Sequence, residues 1–299
     1  MNVILNEPIP IYLNPNIESL LNLIFLTDYS ISTIQKLIYN SNSEIQLIEE
    51  IQSRYTKEEI QAAKKKATFS KTTLMNHDIE VIPYYSKDYP KSLLQIKDYP
   101  PLLFVKGELL KMRLAAVIGS RQTSKYANKI TAHVVDWCGQ INYGIVSGLA
   151  NGIDTMAHQY ALDNHIYTVA VLPCSLDIIY PFSNSTLAKQ IINSGGALIS
   201  EIAPGLPMTK LSFILRNRIQ AALSDIIIPI EMKVKSGTMS TIKFARSYQK
   251  PVFVLKPTPI HEREESYQGI LKIIENPFHD LHIFSNEKEF SESVKTLLN

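Results

Sequence analysis

Cysteine is scarce: Cys138 and Cys174 are the two in 299 residues. That is too few for a disulfide framework or a thiolate metal site, and it suits a reducing cytoplasm. No charge sign dominates either, since 30 basic against 28 acidic residues leave a formal net charge of +2. A polyanion would have to be held by a local basic patch and not by the field of the whole surface. No uninterrupted apolar run approaches the length of a membrane span, and the start carries no charged-apolar-small signal peptide. The expectation is a soluble, cytoplasmic chain with no membrane partner. A Gly-x-Gly-x-x-Gly after the first regular strand is also missing, which removes a conventional dinucleotide site and leaves no cofactor expected. No cluster of histidines and carboxylates has metal-ligand spacing, so no metal is expected.

What is present is enough apolar residue, 45% of the chain, for a substantial core. Apolar residues recur at helical spacing over 17–25 and 31–39, with Thr27-Asp28-Tyr29-Ser30 as the break. Helical character continues over 44–51 and 57–67, so residues 1–80 read as a small all-helical module. Its Lys64-Lys65-Lys66 is either a solvated face or a nucleic-acid contact. Residues 81–107 mix strand residues with prolines, as a lead-in strand and loops would, and a second domain spans 81–299. There, strand patterns at 115–119, 144–148, 168–173, 197–201, 225–231, 251–256 and 282–284 alternate with helical ones. Repeated β-α units with nearly continuous apolar strands imply an α/β fold, an extended Rossmann-like parallel sheet with helices on both faces.

Two junctions stand out at the carboxyl edge of that sheet, where such sheets bind ligands. Val117-Ile118-Gly119-Ser120-Arg121 ends an apolar run in Gly and Ser, and Ser147-Gly148 repeats the device in the next unit. Glycine admits a ligand close to the backbone, free N–H groups at a helix start favour an anion, and Arg121 adds a fixed cationic fork. Together they read as one phosphate cradle. Asp154 and His158, four apart on a helix, fit an acid/base pair, two metal ligands or a cap, with Asp154 tying down the glycine loop as the preferred role. The segment 210–218 interleaves cations with an aromatic: Lys210, Phe213 and Asn217 share a helical face, flanked by Arg216 and Arg218. Cations for phosphates and a ring for a base are what a single-stranded nucleic acid needs. The competing reading makes Phe213 core and the arginines intramolecular partners. Ser236-Gly237-Thr238 opens another helix as an anion-accepting turn or an ordinary cap. Glu201 and Glu231 end two strands; holding Arg216 and Arg218 is preferred over a hydrolytic pair, and no catalytic residue is assigned.

The series Gly119-Ser120-Arg121, Ser147-Gly148-Leu149-Ala150-x-Gly152-Ile153-Asp154-x-x-Ala157-His158, Tyr180-Pro181, Ser200-Glu201, Phe213-x-x-Arg216-Asn217-Arg218-Ile219 and Ser236-Gly237-Thr238 resembles the DNA-processing protein A (DprA/Smf) family over roughly 85–256. The resemblance implies a Rossmann domain preceded by a sterile-alpha-motif-like module, single-stranded DNA binding, homodimerisation, and loading of the RecA recombinase during natural transformation. Carried over by position, it points to Ser120, Arg121, Gly148, Lys210, Phe213, Arg216 and Asn217 as DNA contacts. After the last Rossmann unit, the winged helix that many members of the family carry is not expected. A second reading comes from resemblance to phosphoribohydrolases of the same superfamily, in which Ser236-Gly237-Thr238 with Glu201 or Glu231 would hold a nucleotide.

Overall fold

The computed structural model describes residues 13–297. It divides into two compact units. The first holds the chain through Val105, with Cys174–Asp177 and Ser200–Pro207; the second holds Lys106–Pro173, Ile178–Ile199 and the chain from Met208 onward. The antiparallel strand pair described below therefore falls in the first unit up to Val105, beyond residue 80, where the sequence reading ends the helical module.

In the first unit, helices α1 (Ile17–Leu26), α2 (Ile31–Tyr39), α3 (Glu44–Arg54) and α4 (Lys57–Asn76) follow one another. Their starts are chemically marked. Asn16 accepts from the Ser19 N–H, Ser43 from Gln46, and Thr56 and Glu59 form a reciprocal capping box. Helix α4 runs nine residues past the expected end at Ala67, because Ala63, Ala67, Ser70 and Leu74 are buried at spacings of four, three and four. That stripe carries the helix through a Thr-rich stretch whose own propensity is poor. Strand β1 (Glu80–Pro83), the short helix α5 (Lys91–Leu94) and strand β2 (Leu102–Gly107) follow, β1 and β2 pairing antiparallel with Val81 opposite Phe104. The tyrosines of this Pro-rich stretch act as struts: the Tyr84 hydroxyl donates to the Leu13 carbonyl at 2.8 Å and that of Tyr89 to the Pro100 carbonyl at 2.8 Å.

The second unit is a run of β-α units. Strand β3 (Leu114–Ile118) is followed by α6 (Ala127–Gln140), β4 (Gly144–Ser147), α7 (Ile153–Asp163), β5 (Thr168–Val171), α8 (Ser185–Asn193), β6 (Ala197–Ser200), α9 (Lys210–Leu223), β7 (Ile226–Pro229), α10 (Gly237–Ser247), β8 (Val252–Leu255), α11 (Gln268–Glu275), β9 (Leu281–Phe284) and α12 (Glu287–Leu297). The strands pair in parallel in the order β6-β5-β4-β3-β7-β8-β9. Each of β3, β4, β5 and β7 is buried along its whole length, as a sheet covered on both faces requires. The core joins Val117, Ile145 and Ile228 to Val134 and Ile153 from the helices and to Phe253, Phe284 and Phe290 near the chain end. Each such side chain, fully buried, contributes about 1.5–3 kcal/mol.

This order fixes where a ligand can bind. From β3 the chain winds outward to β6 on one side, then returns to place β7 against the other side of β3, with Ala115 to Ile118 in register with Ile226 to Pro229. The loops leaving β3 and β7 therefore diverge to opposite faces and open a crevice at the carboxyl edge.

Candidate nucleic-acid interface

Three loops meet at that crevice and are tied together by their own backbone. The Ser120 N–H donates to the Glu231 carbonyl at 2.9 Å, the Ile153 N–H to the Ser120 carbonyl at 3.1 Å, and the Thr238 hydroxyl to the Gly119 carbonyl at 3.0 Å. Such close approach explains two glycines. A Cβ on Gly119 would lie 2.4 Å from Ile153 Cγ1, and one on Gly152, at φ +83°, would lie 2.3 Å from the Ser120 oxygen.

The same bonds correct the expected N–H cradle. With the Gln220 amide assigned so that its oxygen faces donors, it accepts from the Gly148 N–H at 2.9 Å and from Arg216 Nη1 at 3.2 Å. The Ala150 N–H faces Asp154 Oδ2 at 3.4 Å. The N–H groups of Ser120, Gly148 and Ala150 are thus spent inside the protein, and side chains must receive an anion instead. Ser147 is corrected as well: it is wholly buried, and its hydroxyl donates to the Val117 carbonyl at 2.7 Å, cross-linking β4 to β3. Gly148 serves the site by having no side chain, since a Cβ there would stand 1.0 Å from Arg216 Nη1.

Helix α9 supplies one wall. Thr209 caps it, and no acidic residue stands in its first turn, so Lys210 and the helix dipole present positive charge together. Lys210 is exposed at that turn and is not among the residues lining the crevice. Phe213 lines it, half-buried, with the Arg121 guanidinium 5.3 Å from its ring centre and the Tyr180 ring edge-on at 5.5 Å. One turn on, Arg216 is 5% exposed at the floor, with Nη1 3.5 Å from Asp154 Oδ2 and donating to the Val171 carbonyl at 3.4 Å. Asn217 faces the crevice and donates to the Gly237 carbonyl at 3.2 Å and the Ser240 hydroxyl at 2.7 Å, joining α9 to α10. Arg218 turns the other way. It is fully buried and donates to the Leu215 carbonyl at 3.4 Å, so it is removed from the expected ligand contacts.

The crevice encloses about 610 Å³ and is closed on its far side by Lys233, Lys235, Ser236, Gly237 and Thr238. The two lysines were missed in the sequence. Their signal was present, as cations two apart directly before a Ser-Gly helix start. Lys233 is held by Glu265 at 2.7 Å, whereas Lys235 is exposed.

Asp154 and His158 are both buried, and Asp154 also lines the floor of the crevice. Burial raises the Asp154 carboxyl above its ordinary range, with the Arg216 charge opposing that rise. Burial, aided by the same charge, lowers the His158 imidazole to about 3, and its Nδ1 lies 2.7 Å from the Thr168 hydroxyl. A wholly buried imidazole cannot exchange protons with a substrate. No group of His, Cys, Asp and Glu among the described residues could hold a metal. Glu201 accepts from the Tyr29 hydroxyl in the first unit, and buried Glu231 accepts from the Ser124 N–H at 2.9 Å instead of holding an arginine. No helix among the described residues is long and apolar enough to cross a membrane.

A Rossmann-type sheet whose switch-point crevice is walled by cations and one ring agrees with the motif series, and the chain belongs to the DNA recombination-mediator protein A family, whose model matches residues 80–292. Among its relatives, DNA processing protein DprA of Streptococcus pneumoniae is 41% identical over 169 residues, 56% of this chain and 59% of that protein. Protein Smf of Escherichia coli is 38% identical over 187 residues, 62% of this chain and 49% of that protein. The chain thus spans about half the length of the curated relatives it matches. An X-ray structure of DNA processing protein A from Streptococcus pneumoniae superposes with a TM-score of 0.68 at 28% identity, covering 90% of this chain and 91% of that one. The Helicobacter pylori protein, whose structure is described for its single-stranded DNA binding mode, superposes at 0.62 with 31% identity, covering 74% and 95%.

Proposed function

We propose that this chain is a non-enzymatic mediator that binds single-stranded DNA in the switch-point crevice, protects it and hands it to the RecA recombinase, acting as a homodimer in the cytoplasm without a cofactor. The observation that carries the reading is Arg121 stacked over Phe213 at the mouth of a crevice floored by Arg216. A guanidinium pinned on a ring offers a phosphate-binding fork beside a base-stacking surface, the pairing an unpaired strand requires. Lys210, Lys235 and Arg216 neutralise phosphates. Gly119, Ser120, Asn217, Ser236, Gly237 and Thr238 shape the walls. The single-strand binding described for the Helicobacter pylori relative supports this choice of ligand.

The test is a titration of oligo-dT and of duplex DNA against the parent and Arg121→Glu at two salt concentrations. Arg121 is exposed, so reversing its charge leaves the fold intact. The expected result is oligo-dT preferred over duplex and a loss of affinity of at least about tenfold in the variant, as removal of a charge-assisted contact of ~1.5–3 kcal/mol requires. Equal binding by parent and variant, or no binding to any oligonucleotide, would sink the reading. Release of free base from a nucleoside monophosphate would favour the phosphoribohydrolase alternative.

A further inference from the structure

Phe182 is 86% exposed, the most of any large apolar side chain among the described residues. It is not an isolated surface ring. Ile178 and Tyr180 on the same loop are 58% and 37% exposed, and Leu211 and Ile214 on the first turns of α9 are 57% and 46% exposed. Tyr180 joins the two segments through its ring contact with Phe213. An apolar patch of this kind, gathered beside a ligand crevice, marks a contact surface.

The loop that carries Phe182 is held firmly. Pro181 fixes its own φ, and its carbonyl accepts from the Asn184 N–H at 3.0 Å. The Ser185 hydroxyl donates to the Phe182 carbonyl at 2.6 Å. The Asn184 amide donates to the Leu149 carbonyl at 2.7 Å and to the Thr155 hydroxyl at 2.8 Å, docking the loop on the junction between β4 and α7. These bonds order the backbone without using the phenyl ring, which is left in water on a rigid mount.

We propose that Tyr180 and Phe182 continue the stacking surface begun by Phe213, so that a strand leaving the crevice lays successive unpaired bases on these rings. The inference rests on the single-strand reading above and adds two residues and a direction to it. From Arg121 the path runs over Phe213 to Tyr180, and two residues further along the chain to Phe182. The ligand is a nucleobase of any identity, because every base offers a π-face while the patch offers no hydrogen-bond code. Duplex bases are excluded, their faces being already stacked. A preset ring also loses little freedom on binding.

The experiment measures oligo-dT binding by the full chain, by Phe182→Ala and Tyr180→Ala, and by Phe182→Trp, with 2-aminopurine placed at successive positions. The expected result is binding weaker by about 5- to 20-fold for each alanine variant, the lower range for base stacking. Quenching of 2-aminopurine should be lost at one position, with near-parental binding in Phe182→Trp. The salt dependence of affinity should stay parental, since no phosphate contact is removed. An abasic oligonucleotide should bind parent and Phe182→Ala alike. Parental affinity and quenching in both alanine variants would overturn the proposal while leaving the crevice reading intact. Failure of Arg121→Glu to weaken binding would instead remove the reading beneath it. A change of oligomeric mass in Phe182→Ala without a change in DNA binding would make the patch a protein interface and equally overturn it.

Discussion

At the scale of single residues, the crevice depends on a missing side chain. A methyl on Gly148 would stand 1.0 Å from Arg216 Nη1 and 2.7 Å from Asp154 Oδ2, so Gly148→Ala must expel the guanidinium. Asp154 would then be buried without its cationic neighbour, a loss of about 3–5 kcal/mol for a broken buried pair. The denaturation midpoint and oligo-dT affinity should therefore fall together. Gly237→Ala provides the contrast, because a Cβ there meets nothing within 4 Å and alanine is the better helix former at the start of α10. Its midpoint should equal or exceed the parent's. A normal midpoint in Gly148→Ala would refute the steric account. Gly119, Arg121 and Phe213 were legible because a strand ending in Gly-Ser and a ring between cations announce themselves. Ser147 and Arg218 were not. Both belong to the same motifs as their exposed neighbours, and only the packing of β4 and α9 decides which members turn inward.

At the scale of elements, the alternation of apolar runs and amphipathic stripes located the regular strands and helices of the second unit to within a few residues. Strands β3, β4, β5 and β7 are buried from end to end, so their apolar runs have no competing pattern. Tertiary contacts set what was less visible: the extension of α4 along its buried stripe, and the loop carrying Phe182, whose exposure no periodicity encodes. Helix α7 carries a pH sensitivity that follows from its buried histidine. The His158 pKa falls from 6.5 in the unfolded chain to about 3 in the folded one. Between these values the unfolded chain binds a proton that the folded chain refuses, so stability rises with pH across the window and is lost as the medium is acidified below 6.5. The slope from this group is about 1.4 kcal/mol per pH unit. Denaturant unfolding between pH 6.5 and 5 should show it in the parent, and the difference between parent and His158→Gln should change with pH by that amount. A difference independent of pH would mean that His158 titrates normally.

At the scale of the whole molecule, a net charge of +2 supplies almost no general attraction for a polyanion, so affinity must come from the arrangement of a few cations. For a single strand, log K falls with log salt by about 0.7 for each phosphate neutralised, so the slope counts those cations. Screening at ordinary ionic strength acts over about 8–10 Å, and charges further from the strand drop out of the count. Strand β3 separates two such populations. Its five residues, Leu114–Ile118, span roughly 16 Å, with the crevice at the carboxyl end and exposed Lys111 before the amino end. Lys235→Ala, in the lining of the crevice, should therefore make the slope shallower by about 0.7, while Lys111→Ala, which removes the same charge from the same unit, should leave it unchanged. Oligo-dT titrations over a series of salt concentrations decide the matter. Equal effects of the two variants would mean that the strand is held by diffuse charge, and the crevice would lose its claim to be the interface.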